Sequence, residues 1–249
     1  MNKFLFLFFL LFFGAISAQK QIHIQYLNVR SPIANVYEDL YTNGTKVISK
    51  QDGNIMWTDP SFNKNKKTQD FYFISTIDNT TNDRNFFFTS FVRDNAEDYY
   101  FVYDKVPEIN WKIEKESTRK ILGYECTKAT AIFRGSPITA YFAKEIPYSV
   151  GPFKFFGLPG AILDVRVDGK DFNLWKAVKV NLNDTSKVEY NPDFPNFTKV
   201  KMKDYVIRKD NTNTNFLNNS KVSGSTGKSL QFVLELSSIL NGKINKKIV

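Results

Sequence analysis

The chain has 249 residues, a formal net charge of +9, one cysteine and one histidine. A single cysteine excludes an internal disulfide framework. One cysteine and one histidine are also too few for the common zinc sites, so we expect no metal and no cofactor. The basic residues are interleaved with Asp and Glu along the chain, which is typical of a solvated surface and makes nucleic acid a poor partner.

The first eighteen residues have the pattern of a secretory signal peptide. Lys3 precedes an apolar run over residues 4–13, and small residues follow up to Ala18. That run is far shorter than the roughly 20 apolar residues of a membrane-spanning helix. We predict a signal peptide over 1–18 and no transmembrane segment after its cleavage. The exported protein is then expected in the periplasm, at the cell surface or secreted, and an uncleaved anchor is the alternative.

Residues 19–249 have the pattern of one β-rich domain. Aromatic and β-branched segments alternate with Asn, Asp, Gly and Pro, which indicates short strands joined by turns. The pattern predicts a mainly β fold, a curved antiparallel sheet or half-barrel built from hairpins. The predicted strands are 21–29, 35–42, 45–50, 71–77, 85–92, 98–104, 109–115, 124–133, 137–143, 161–167 and 170–181.

The C-terminal part of the chain is more polar. Residues 209–228 are rich in Asn, Lys, Ser and Thr, and we predict a mobile loop there. Apolar residues recur at near-helical spacing in 228–240, which predicts a short C-terminal helix, although the β-rich composition also fits a strand.

One hairpin has a register that can be predicted. A two-residue turn at Asp168-Gly169 would pair Val165 with Phe172 on the apolar face of the two strands. Asp164 would then lie opposite Asn173 on the other face, at the protein surface. A slip of one residue would bury the charged side chains instead.

A stretch rich in glycine, proline and aromatic residues, "GPFKFFGLPGAI", spans residues 151–162. Pro159 restricts φ and Gly160 tolerates positive φ, so residues 158–161 have the composition of a type II turn. The following segment is strand-like, whereas a phosphate loop would lead into a helix. We interpret the stretch as a structural motif that starts a hairpin, formed by Gly151, Pro152, Gly157, Leu158, Pro159, Gly160, Ala161 and Ile162.

Further residues upstream keep a matching order and spacing: Trp111, 121–126, Lys128-Ala129, 133–135, Tyr141, 145–147 and Gly151-Pro152. Together with 157–162 they resemble the GLPGLI family of secreted Bacteroidetes proteins. The family-like core covers about residues 111–180. Ala161 stands where leucine is usual and Tyr141 where tryptophan is expected. The resemblance implies a GLPGLI-type domain but no activity and no catalytic residues, because none is established for the family.

The function that we expect is a binding or structural role in the cell envelope. A looser similarity of Leu122-Gly123-Tyr124, Cys126 and the strands after them to periplasmic lipoprotein carriers implies an alternative, an apolar cavity for an acyl chain or an apolar peptide. An ordinary aromatic core is the simpler explanation. The candidate contact residues for a ligand or a partner are Phe133, Tyr141, Phe153, Phe155, Phe156 and Trp175.

Two other functions remain open from the sequence. A partner of an outer-membrane protein would expose the aromatic residues of 153–156 as a patch. An envelope hydrolase would use Cys126 with His23, or the acids Glu145 and Asp164. We expect Cys126 to be a buried, inert thiol. The sequence does not indicate the oligomeric state.

Overall fold

The computed structural model describes residues 21–58, 69–78, 80–93 and 97–211. These residues form one open, curled sheet of 13 strands and one short helix, α1, over residues 202–211, which confirms the predicted mainly β class. The predicted signal peptide, residues 212–228 of the predicted loop and the segment 228–240 lie outside the described residues. No helix in the described ranges is long and apolar enough to cross a membrane.

Every predicted strand is present; 124–133 and 161–167 have the predicted ends, and the others have shifted ends. β4 and β13 fall outside the predicted strands because they are too short to show an alternation. The strands are β1 (Gln21–Ser31), β2 (Ala34–Thr42), β3 (Lys46–Gln51), β4 (Met56–Trp57), β5 (Phe71–Thr76), β6 (Arg84–Arg93), β7 (Glu97–Val106), β8 (Lys112–Ile121), β9 (Tyr124–Phe133), β10 (Ser136–Ala143), β11 (Ala161–Val167), β12 (Leu174–Asp184) and β13 (Thr198–Lys201).

The strand order across the sheet is β13-β7-β6-β5-β3-β2-β1-β12-β11-β10-β9-β8, with β4 beside β2. Neighbouring strands are antiparallel, apart from β13, which runs parallel to β7. β1 and β12 pair in the middle of the sheet and join the strands β2 to β7 to the strands β8 to β11. The N-terminal strand is therefore central to the fold.

The β11–β12 hairpin forms, but its predicted register is wrong. Val165 pairs with Trp175 instead of Phe172, so the connection is longer than a two-residue turn. It is longer because Asn173 takes a positive φ of 57° and its backbone N–H donates to β1. The shift by an odd number of residues exchanges the faces of β12, which places Trp175 in the core.

The connection between β10 and β11, residues 144–160, is here called the inner segment. It has no regular secondary structure, yet residues 150–156 are all buried. Its aromatic rings contact both halves of the sheet, because Phe153 packs on Phe73 of β5 and on Trp175 of β12. The inner segment therefore forms the middle of the core inside the curled sheet.

Polar partners satisfy the backbone of the inner segment. The Arg84 guanidinium donates to the Ser149 carbonyl at 2.8 Å, and the Trp111 indole N–H donates to the Phe156 carbonyl at 2.8 Å. The Gly157 N–H donates to the Ser149 hydroxyl at 2.7 Å. A buried loop is stable only when its N–H and C=O groups find such partners.

The motif starts β11 as predicted, but its turn is not of type II. The Gly160 N–H donates to the Leu158 carbonyl at 2.8 Å, which is a three-residue turn around Pro159. The Ala161 N–H, which would close a type II turn, donates instead to the Ile146 carbonyl at 3.0 Å. The prediction was wrong because the start of the inner segment competes for that N–H group.

Gly160 is required by a close backbone approach. A Cβ atom there would lie 2.7 Å from the Ala143 carbonyl carbon and closer still to its oxygen. We expect Gly160→Ala to lower the free energy of unfolding by about 2 kcal/mol or more, because backbone atoms must move. Urea unfolding followed by circular dichroism measures this loss.

The matched control is Gly135→Ala, where φ is +81° and no atom lies within 4 Å of the added Cβ. That variant should lose only about 1 kcal/mol, the cost of the left-handed backbone. Equal losses in the two variants would show that the Ala143 carbonyl does not restrict Gly160.

Candidate functional site

An apolar cavity of about 190 Å³ lies between the sheet, the inner segment and α1. Eight strands contribute residues to its wall: β1, β3, β5, β6, β9, β10, β11 and β12. The aromatic residues that line it are Phe71, Phe73, Phe88, Phe91, Phe133, Phe153, Phe155, Trp175 and Tyr205.

The structure separates the six predicted contact residues into two groups. Phe133, Phe153, Phe155 and Trp175 line the cavity together. Tyr141 and Phe156 lie elsewhere. The Tyr141 ring packs under the Arg119 guanidinium at 3.7 Å, and the Phe156 ring packs under the Arg84 guanidinium at 4.5 Å.

The prediction of an exposed aromatic patch on residues 153–156 is wrong. Phe153, Phe155 and Phe156 are only 3%, 3% and 4% exposed. They point inward because the curled sheet encloses the inner segment. The Phe153 and Trp175 rings stack at 5.7 Å, and Phe155 meets the Trp175 ring edge-on at 5.5 Å. Such pairs stabilise aromatic cores beyond their buried area.

Glu38 of β2 holds Phe153 and Trp175 of this aromatic wall in place through hydrogen bonds. Its carboxylate is fully buried and accepts hydrogen bonds from the Phe153 backbone N–H at 2.6 Å and the Trp175 indole N–H at 2.9 Å. Ser49 and Gln51 of β3 donate to the same carboxylate at 2.5 and 2.9 Å. Burial raises the pKa of Glu38, although the four donors oppose the shift.

Lys154 brings a positive charge to the cavity. Its ammonium lies 2.7 Å from the Asp104 carboxylate and 3.8 Å from the centre of the Phe88 ring. Burial lowers the pKa of Lys154 to about 7, while Asp104 opposes the shift. Arg134 pairs with the same Asp104 carboxylate at 2.6 Å, so one acid serves two cations.

Two buried amide side chains at the cavity each have one polar atom without a hydrogen-bond partner among the described residues. These atoms are the Oδ1 atom of Asn28 and the Nδ2 atom of Asn173. The two residues are 2% and 4% exposed, and both line the cavity. A buried unpaired polar atom typically costs about 1 to 3 kcal/mol, so the cavity wall carries two polar atoms with unused hydrogen-bonding capacity.

The helix α1 borders the cavity. Tyr205 of α1 is buried, packs edge-on against Phe88 at 5.8 Å, and its hydroxyl lies 2.6 Å from that of Ser90. Lys209, one turn further along α1, also lines the cavity, as does Arg30 of β1. Both cations are half-buried, which places them at the rim.

The candidate catalytic residues do not form a catalytic group in the part of the chain that the structure describes. Cys126 is fully buried on β9, and burial raises the pKa of its thiol to about 11. His23 of β1 instead pairs with Asp39 at 2.7 Å and stacks on Tyr41 at 4.4 Å. Three strands, β12, β11 and β10, separate β1 from β9 in the sheet.

The acids also have structural surroundings. Asp164 is 1% exposed, which corrects the predicted surface position. Arg119 of β8 and Arg166 of β11 itself approach its carboxylate at 2.6 and 3.0 Å, so two cations pair with this buried acid. Glu145 is exposed. No cluster of three or more His, Cys, Asp or Glu side chains suited to a metal ion occurs within the described ranges.

Comparisons with known proteins match one segment of the chain to a protein family and the fold to solved structures. Residues 132–164, which contain the inner segment, match a family model described as a protein of unknown function (Porph_ging). No curated protein matches the sequence.

Among solved structures, a crystal structure of PNGF-II in space group P21 aligns with 78% of this chain at 18% identity and a TM-score of 0.50. A C2 crystal form of PNGF-II gives a TM-score of 0.46 at 18% identity, over 73% of this chain and 31% of that one. An uncharacterized conserved protein from Thermus thermophilus gives 0.37 at 7% identity, over 74% and 91% of the two chains.

This chain spans about one third of the length of PNGF-II, since the P21 alignment covers 34% of that protein. At this identity the similarity shows a shared fold alone.

Replacing Glu38 tests how much the aromatic wall depends on its carboxylate. We expect Glu38→Leu to lower the free energy of unfolding by about 3 kcal/mol or more, because four buried donors lose their acceptor. Glu38→Gln keeps one acceptor oxygen and should lose less. Urea unfolding measures both losses.

The Glu38 variants also test how the free energy of unfolding depends on pH. Because the pKa of Glu38 is raised above its ordinary value near 4.5, the folded state holds the proton more tightly than the unfolded state. The stability of the wild type relative to Glu38→Gln should therefore be greatest below pH 4.5 and fall as the pH rises through the raised pKa. Glu116→Gln, at an exposed position, is the control and should show no such trend.

Thiol labelling tests the inert role of Cys126. At pH 8 the thiol should react with Ellman's reagent only as fast as the protein unfolds, because it is buried and its pKa is raised to about 11. Labelling in native buffer and in urea measures the two rates. Fast labelling of the folded protein would contradict the burial of Cys126 and support the hypothesis that its thiol is a nucleophile.

Proposed function

We propose that the protein is an exported binding protein that holds a small, largely apolar molecule in the aromatic cavity. The export part of the proposal is supported by the signal-peptide pattern of residues 1–18. The family part, a GLPGLI-type protein, is supported by the motif residues and by the match of residues 132–164 to a family of unknown function.

The unpaired amide atoms of Asn28 and Asn173 carry the proposal. Protein cores are close-packed, and buried polar groups in them are almost always hydrogen-bonded. A cavity that only interrupted a structural core would need no polar side chains. An unpaired acceptor on Asn28 and an unpaired donor on Asn173 instead suit a ligand with one polar group on an apolar body.

The size of the cavity limits the ligand. Its volume is about 190 Å³, and an engineered apolar cavity of about 150 Å³ in another protein binds benzene. The ligand part that fits inside is therefore close to one aromatic ring, or a short branched chain, with a few further atoms. A complete long acyl chain exceeds this volume, so the ligand class is smaller than that of the lipoprotein carriers.

Benzamide is a suitable neutral probe, because it combines one ring with a donor and an acceptor. We expect it to bind with a dissociation constant of about 1 mM or lower. The indole N–H signal of Trp175 reports binding in NMR titrations, since its ring lines the cavity and its N–H donates to Glu38.

A cavity-filling variant tests the location of the probe. Val167 is buried and lines the cavity, so Val167→Phe should abolish benzamide binding while the protein stays folded. Val178→Phe introduces the same ring at an exposed position and should bind like the wild type. No shift of the Trp175 signal in folded wild type at saturating benzamide would overturn the proposed function.

A further inference from the structure

We propose that the ligand carries a carboxylate, which Arg30 binds at the rim of the cavity. This inference rests on the proposed function and names the chemical class of its ligand. Its basis is the charge of the cavity wall. Three cationic side chains line the cavity, and among the described lining residues none is Asp or Glu; the cations are Arg30, Lys154 and Lys209.

The acid beside this wall is already paired. Asp104 contacts the Lys154 ammonium at 2.7 Å and the Arg134 guanidinium at 2.6 Å. Arg30 and Lys209 lie at the rim, and none of the described lining residues is an acid, so the charges that line the cavity favour an anion.

Arg30 has the geometry of a free anion-binding group. It forms no ion pair or hydrogen bond with the described part of the chain; its guanidinium carbon lies 5.6 Å from the centre of the Phe71 ring, and Tyr205 is close enough to interact with its charge. Burial lowers the pKa of Arg30, which is consistent with an incompletely solvated charge. A half-buried guanidinium of this kind gains two charge-assisted hydrogen bonds when it meets a carboxylate.

The amide groups fit the same orientation. Asn28 and Arg30 both line the cavity from β1, Arg30 at the irregularity between Val29 and Ser31. A carboxylate at Arg30 places the apolar body of the ligand against the rings of Phe153 and Trp175. The Nδ2 group of Asn173 can then donate to the ligand from the neighbouring strand connection.

Benzoate and benzamide test the inference, because they have nearly the same shape and differ in charge. We expect wild type to bind benzoate about tenfold more tightly than benzamide. Arg30→Gln should remove this preference, measured as the ratio of the benzoate and benzamide dissociation constants of the same variant. Arg166→Gln, which removes an arginine away from the cavity, should keep the preference. Raising the salt concentration should weaken benzoate binding alone.

Each outcome separates this inference from the proposed function. Equal binding of both probes would overturn the carboxylate inference and leave the proposed function standing. A preference for benzoate that survives Arg30→Gln would overturn the role of Arg30. Binding of neither probe by the folded protein would overturn both.

Discussion

The buried carboxylate of Glu38 is the interaction on which the interior of the protein depends. It joins β2 to β3 through Ser49 and Gln51, to the inner segment through the Phe153 N–H, and to β12 through the Trp175 indole. An ionised carboxylate can accept about four hydrogen bonds and donate none, so four donors satisfy it without a cation. One side chain therefore positions the two rings that stack across the cavity wall.

The fold could be predicted from the sequence where short-range patterns determine it. Alternating residues and turn residues are local, and every predicted strand is present. The register of β11 and β12 was not predictable in this way, because Asn173 takes its positive φ while its N–H bonds to the distant strand β1. The burial of the inner segment also depends on distant partners, such as Arg84 and Trp111.

The candidate site was partly visible in the sequence. Four of the six aromatic contact residues meet at the cavity, because they lie in the inner segment and the strands around it. The burial of Glu38 could have been predicted from strand periodicity, since Glu38 falls between the core residues Val36 and Leu40 on one face of β2. The cavity itself left no such signal, because its volume arises from the packing of eight strands that are spread over the chain.

The motif and the cavity wall are distributed differently along the chain. The family match covers residues 132–164. Within it, the glycine of the motif at position 160 lets the backbone pass close to the Ala143 carbonyl of β10. Asn28, Arg30 and Lys209 lie outside that segment and supply polar and charged groups of the cavity. The motif therefore reports the architecture of the core, whereas the charged residues at the cavity come both from the inner segment, at Lys154, and from the flanking elements β1 and α1.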